Sequence, residues 1–277
     1  MASDRCIVTA ADSNYFPALM ALLRSLRRTN PHLPVIVFDG GLSRGQAKRA
    51  GRFSKVIPKE PSIKIDGRGK FSYISNTSLL KFEVTDLSHE KVLFLDADMV
   101  VLEKLDELFL FPETSVGVVP EVNSVKNMFR IQHRETLAKS LDIDLDETGF
   151  NGGLFALRPR EWKGLPERAR ALMDRFGEDF FSKSKDQQLL NIIFSGKTHY
   201  FPARYNFSPF YDNAEDHRPA IIHYLTRCKP WHYGFPLGHY YEKFRNNISA
   251  RDYPGILLVD MARGLKRFFT PGPRSTI

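Results

Sequence analysis

The chain of 277 residues is 42% hydrophobic and 12% aromatic, which supplies a core for one large or two small domains and excludes a disordered chain. Forty Lys and Arg against 32 Asp and Glu leave a net charge of +8, a field that favours phosphates, nucleic acid or acidic lipid headgroups without choosing among them. Only Cys6 and Cys228 occur, so neither a disulfide framework nor a cysteine zinc cluster is expected, and a reducing cytoplasm fits.

The N-terminus "MASDRCIVTAAD" lacks the apolar stretch of a signal peptide, and no run approaches the roughly 18 apolar residues of a membrane span. A cytoplasmic protein is expected, soluble or peripheral on the inner face of a membrane. Short β-branched runs then alternate with helical patterns: strand "CIVTA", helix "FPALMALLRSLRRTN", strand "PVIVF", a helix near "SRGQAKRAGRF" and strand "KVI". That rhythm predicts a mostly parallel α/β sheet. Leu19, Leu22, Leu23 and Leu26 give the first helix an apolar stripe, Pro17 suits its first turn, and Arg24, Arg27 and Arg28 lie towards its C-terminal end.

Next, "TSLLKFEVTDL" reads as a helix feeding strand "KVLFLD", followed by strand "MVVL", a helix around "LDELFLF" and strand "SVGVV". A polar interval from Glu121 to Thr148 interrupts the rhythm before strand "GGLFALRP". Helices "EWKGLPERARALMDRF" and "KDQQLLNIIFSG" precede strands "THYF" and "PAIIHYL". No repeat, low-complexity tract or linker divides the chain. Residues 1–250 read as a single α/β domain and 251–277 as a basic amphipathic tail.

The run "KVLFLDADMVVL" places two carboxylates in an apolar stretch, where an ionised group needs a cation or good donors. Residues two apart on a strand share a face, so Asp96 and Asp98 can converge on one hard cation at the C-terminal end of a strand, where open α/β sheets bind ligands. Mg²⁺ or Mn²⁺ carrying a diphosphate suits such a pair. One aspartate capping a turn while the other faces solvent is the plainer alternative. Downstream, "AIIHYLTRCKPW" ends a strand at His223 and follows it with Lys229 and Trp231. An imidazole can complete a Mn²⁺ shell and a lysine can reach a diphosphate.

Five segments in this order, "IVTAADSNY", "VLFLDADMVV", "FNGGLFAL", "KDQQLLN" and "IIHYLTRCKPWH", resemble glycosyltransferase family 8. These are retaining GT-A enzymes that include glycogenin and bacterial lipooligosaccharide galactosyltransferases. The resemblance runs from about Ile7 to His232. It implies a GT-A fold, a Rossmann-like, mixed and mostly parallel central sheet flanked by helices, here with a C-terminal helical appendage. It implies a hexose moved from UDP-glucose or UDP-galactose to a glycan or glycolipid acceptor with retention of configuration.

The same resemblance implies roles. Asp96, Asp98 and His223 match the ligands of a Mn²⁺ (or Mg²⁺) that holds the donor diphosphate, with Ala97 between the aspartates on the donor side. Ala10, Asp12, Asn14 and Tyr15 match the uridine segment, Tyr15 against the uracil ring. Asn151 and Gly152 match the loop beside the donor sugar, Asp186 and Gln187 the catalytic pair near its anomeric carbon, and Lys229 the diphosphate lysine. Thr226 stands where the family carries glycine, and Lys81 is the nearest candidate for a basic donor residue, out of step by a residue or two.

Each motif has a plainer use. Asn14 also suits a turn, Gly152 and Gly153 close strand packing, and Gln187 with Gln188 a solvated helix face. "GLSRG" matches a nucleophile elbow, although Ser43 and Gln46 also spell a helix capping box. "FLDADMV" resembles the nucleophile motif of haloacid-dehalogenase-like phosphatases, yet about 90 residues precede it here. A non-catalytic nucleotide-sugar-binding protein would carry the same ligands. No P-loop, dinucleotide fingerprint or nucleic-acid module is present, and no nucleic-acid partner is expected.

The tail "YPGILLVDMARGLKRFFTPGPR" reads as a short helix with Ile256, Leu257, Leu258, Met261, Leu265, Phe268 and Phe269 apolar and Arg263, Lys266, Arg267 and Arg274 basic. It can lie in an anionic membrane interface or pack on the domain. Aromatics in "WHYGFPLGHYYEKF" and "RYNFSPFY" can form an acceptor platform or a core.

Overall fold

The computed structural model describes residues 4–64, 76–141, 143–181, 185–210, 218–225, 228–235 and 238–269. In chain order, β1 (Arg5–Ala11), α1 (Phe16–Thr29), β2 (Val35–Asp39), α2 (Arg44–Ala50) and β3 (Lys55–Pro58) lead to β4 (Lys91–Leu95) and β5 (Met99–Val101). Then come β6 (Val116–Ser124), α3 (Ile131–Ser140), β7 (Thr148–Leu157), α4 (Leu165–Phe176) and α5 (Lys185–Ile193). Strands β8 (Thr198–Tyr200) and β9 (Ile221–His223) and helices α6 (His239–Arg245) and α7 (Ile256–Phe269) complete the order.

Seven strands form one sheet in the order β3-β2-β1-β4-β7-β6-β8, and β5 pairs with β9 in a separate two-stranded sheet. Strands β3, β2, β1 and β4 are parallel; β7 runs antiparallel to both β4 and β6, and β8 is parallel to β6. The sheet is buried on both faces: Val8, Phe94 and Phe155 belong to one apolar cluster, and Ile7, Leu93 and Leu154 to another. Such two-sided burial explains why these strands read as continuous apolar runs.

Four expectations change. The segment before β4 is an eleven-residue 3₁₀ run, Asn76–Asp86, and the helix expected around "LDELFLF" is one 3₁₀ turn, Asp106–Phe109. "MVVL" supplies β5, outside the main sheet. The polar interval is not a break, because it holds the end of β6, all of α3 and the start of β7.

Helix α1 is buried well beyond its leucine stripe. Leu22 and Leu26 meet the sheet cluster, Leu19 and Leu23 pack with Val37 and Ala50, and Ala18 and Ala21 face Tyr224, Trp231, Tyr241 and Phe244. The C-terminal aromatics therefore serve as core, with Tyr233 exposed among them. Cys6 lies buried in β1, where desolvation pushes its thiol up to about 12.

The tail packs through polar contacts. Asp260 bonds Tyr241 and, at 2.9 Å, Arg245. Arg263 is buried, donates to the carbonyls of His232 (2.6 Å) and Pro230 (3.3 Å), and covers the Tyr241 ring. It therefore leaves the basic face assigned to it from sequence. Leu257, Leu258, Met261 and Leu265 remain exposed. Among the described residues, no helix is long and apolar enough to cross a membrane.

Ser25 locks α1 onto the small sheet: its hydroxyl donates to Leu22 O at 2.8 Å and accepts from the buried Val101 N–H at 3.0 Å. Ser25→Ala leaves that amide unpartnered and should cost about 1–3 kcal/mol in urea unfolding. An unchanged midpoint would show that this bond contributes nothing.

Candidate functional site

Strand β4 ends at Leu95, paired with Leu154 of β7, and the chain turns immediately: Asp96 N–H donates to Gly153 O at 2.8 Å. Asp96, Ala97 and Asp98 thus stand at the C-terminal mouth of the sheet. The Ala97 side chain joins the apolar cluster of Phe16 and Leu19, so only its backbone is available to a ligand.

His223 arrives from β9, whose register sets it opposite Met99, one residue beyond Asp98. Its Nε2 lies 3.3 Å from Asp98 Oδ1 and 3.9 Å from Asp96 Oδ2. Its Nδ1 is 2.8 Å from Asn206 Oδ1, an atom that only accepts, so Nδ1 carries a proton and Nε2 is the ring nitrogen directed at the carboxylates. Lys229 Nζ donates to Asp98 Oδ2 at 2.5 Å and to Tyr224 O at 2.6 Å.

On the opposite side Lys81 is fully buried. Its ammonium meets Asp186 Oδ2 at 2.6 Å, Gly152 O at 3.0 Å and Asp96 Oδ1 at 3.2 Å, using all three donors. The basic residue that looked out of step therefore sits inside the site. Burial works against its charge, but Asp186 and Asp96 outweigh it and raise the lysine above its ordinary range. Burial also pushes Asp96 up, with Lys81 opposing. For Asp98, burial is outweighed by Lys229 and His223, which hold the carboxyl below the usual range.

Beside this ion network, Gln187 is held at both ends of its amide. Oε1 accepts from Asn151 Nδ2 at 3.2 Å and Nε2 donates to Glu121 Oε2 at 3.1 Å. Gln188 points into the core and donates to Met128 O, so the two glutamines do not share a solvated face. Gly152 lets α5 approach β7: a Cβ there would meet Gln187 Cα at 3.3 Å. Glu121 and Asn206 were not anticipated. Burial raises Glu121 above the ordinary carboxylate range, and both residues act through partners remote in sequence, with no local pattern to announce them.

After β1, partly buried Ala10 leads to Asp12. Asp12 Oδ1 accepts from the N–H groups of Asn14 (2.9 Å) and Tyr15 (3.2 Å), and Oδ2 accepts from Thr77 at 3.2 Å. Asn14 is exposed. Tyr15 stands edge-on to Trp231 at 5.8 Å, and Lys229 Nζ lies 5.8 Å from its ring centre. Thr226 falls outside the described residues. Ser43 forms the capping box with Gln46 at the start of α2, which gives it a structural role.

Asp96, Asp98 and His223 can each offer one atom, all within 4.8 Å of one another. Two carboxylates with an imidazole suit Mn²⁺, and Mg²⁺ on the oxygens. A Cβ at Gly153 would fall 2.4 Å from His223 Cε1 and 2.7 Å from Asp96 Oδ2, so glycine is what lets β7 pass under the triad. Asp96, Asp98 and Asp186 against Lys81 and Lys229 leave one negative charge. A divalent ion makes that +1, matched to a diphosphate.

A model described as Glycosyl transferase family 8 matches residues 6–234. The chain belongs to glycosyltransferase family 8. Similar proteins include glycosyltransferase GlyE of Streptococcus pneumoniae, 21% identical over 286 residues covering 95% of this chain and 65% of GlyE. The lipopolysaccharide 1,2-glucosyltransferase of Escherichia coli K12 is 24% identical over 188 residues, 63% of this chain and 54% of that enzyme. The chain thus spans about half to two thirds of these relatives. Galactosyltransferase LgtC, solved with donor and acceptor sugar analogues, superposes with a TM-score of 0.66 at 20% identity, covering 97% of each chain. Apo GlyE gives 0.63 at 19% identity, covering 99% of this chain and 66% of GlyE. The fold is GT-A.

Gly153→Ala tests the crowding at the triad. It should weaken Mn²⁺ binding by at least about tenfold in calorimetric titration, because His223 and Asp96 must part to admit a methyl group. Undiminished affinity would place the ion elsewhere.

Proposed function

We propose that this family 8 chain transfers a hexose from UDP-glucose or UDP-galactose to a hydroxyl of a glycan or glycolipid acceptor, with retention of anomeric configuration and dependence on Mn²⁺ or Mg²⁺. The observation that carries the reading is the convergence of Asp96, Asp98 and His223 beside Lys229, with Asp186 and Gln187 fixed across the same cleft. The named activities of LgtC and the lipopolysaccharide glucosyltransferase support a sugar donor and a glycan acceptor. Family membership weighs against the phosphatase, hydrolase and binding-protein readings.

Asp96, Asp98 and His223 would hold the ion, which supplies Lewis acidity to the departing diphosphate. Lys229 spends two donors on Asp98 and Tyr224 O and keeps the third for a phosphate oxygen. Asp12 shapes the turn that presents Tyr15 to the uracil ring. Across the site, Lys81 holds the Asp186 carboxylate in place, while Asn151 and Glu121 fix the Gln187 amide beside the oxocarbenium-like sugar. The bond from the anomeric carbon to the diphosphate oxygen breaks. The acceptor oxygen bonds to that carbon on the same face, and its proton leaves with the diphosphate.

UDP, UDP-glucose and UDP-galactose should each raise the melting temperature only when Mn²⁺ is present, and Asp98→Asn should abolish the shift. Gln187→Ala and Asp186→Asn should lower kcat by at least about tenfold at saturating donor. Metal-independent shifts or intact turnover would defeat the assignment.

The exposed apolar positions of α7, with Lys266 and Arg267 next in sequence, support seating of this helix in the anionic inner face of a membrane, where a glycolipid acceptor would reside. Replacing Leu257, Leu258, Met261 and Leu265 by Ser should abolish sedimentation with phosphatidylglycerol vesicles while leaving the melting temperature unchanged. Undiminished sedimentation would remove α7 as the anchor.

A further inference from the structure

A separate cavity of about 530 Å³ lies between α1, α2 and the segment leading into α7, and shares no residue with the site above. Four arginines line it, Arg24, Arg49, Arg52 and Arg251, over apolar surface from Met20 and Phe53. Asp252 is the single carboxylate among the lining residues. It is buried, and its oxygens are taken by Arg24, Arg49 and the Ser249 hydroxyl, the last at 2.6 Å. Arg49 also stacks over Phe16 at 5.1 Å, which fixes its guanidinium at the wall.

This ion network explains two of the arginines: they fasten the approach to α7 onto α1 and α2. It does not explain the others. Arg52 and Arg251 are exposed at the rim and have no carboxylate within ion-pair distance among the described residues. Four guanidinium groups against one carboxylate leave an excess of three positive charges around a space large enough for an organic anion. Planar guanidinium forks match tetrahedral phosphate oxygens, and Met20 with Phe53 offers an apolar surface to whatever the phosphate carries.

We infer that this cavity is a binding site for a phosphate monoester, with Arg52 and Arg251 as its exposed rim and Arg24 and Arg49 as its wall. The ester is either a soluble metabolite or the headgroup of a lipid such as phosphatidate, and the two share the phosphoryl group that the arginines recognise.

The test is calorimetric titration of the full chain with glycerol 3-phosphate and with monomeric dihexanoyl phosphatidate. The R52A/R251A pair should weaken both by at least about tenfold. R27A/R28A removes the same charge from exposed positions on α1 outside the cavity and should change affinity by no more than about twofold. Both pairs are expected to keep the wild-type melting temperature. Tighter binding of the short-chain lipid assigns the phosphate to a lipid headgroup, and equal or weaker binding assigns it to a soluble ester; both support the site. No binding of either ligand, or equal weakening by the two arginine pairs, overturns it.

Discussion

The cleft depends on one electrostatic constraint: the buried carboxylate of Asp98 and the half-buried ones of Asp96 and Asp186 must be compensated from within the fold. Lys81 and Lys229 do so from opposite sides. Removing a partner from such a buried set costs about 3–5 kcal/mol, because the remaining charge stays buried. The ammonium of Lys81 joins the 3₁₀ run before β4, the Asp96 turn, the β7 backbone and the first turn of α5. Four segments distant in sequence are thereby held at one point. Lys229 does the same for Asp98 and the strand end at Tyr224.

Backbone geometry brings the third ligand. The β5–β9 pair is short, yet Ser25 and Asn30 anchor β5 and the segment after it, against which β9 is paired, Asn30 by accepting from Leu105 N–H and donating to Glu103 O. His223 then meets Asn206, which sets its tautomer, and passes over Gly153, which makes room for it. The apolar core and the polar cleft are thus consecutive layers of one arrangement. The same α1 that packs on the sheet carries the aromatic layer beneath α6.

Much of this is visible in the chain itself. Alternating apolar runs give the sheet, and two-residue spacing puts Asp96 and Asp98 on one face. The strand ending at His223 and the loop reaching Lys229 follow from short-range pattern. Lys81 shows why other parts do not. It is a candidate out of step by a residue or two with the family's pattern, in a segment that reads as a helix but is 3₁₀, and its contacts with Gly152, Asp186 and Asp96 all come from distant parts of the chain. Glu121 lies in a polar stretch whose strand character comes only from pairing with β7. Arg263 reads as surface charge, and its burial is set by carbonyls more than thirty residues away. Resemblance alone selects Gln187 over Gln188; the physical reason, its amide held between Asn151 and Glu121 while Gln188 turns into the core, has no local pattern.

The central claim is that Asp96, Asp98 and His223 bind one divalent ion that carries the donor diphosphate. Electron spin echo modulation on the Mn²⁺-loaded protein tests it most directly. The account predicts a directly coordinated ¹⁴N signal that disappears in His223→Gln, and a ³¹P coupling that appears on addition of UDP. A nitrogen signal that survives His223→Gln, or a manganese ion with no ³¹P coupling in the presence of bound UDP, would contradict it.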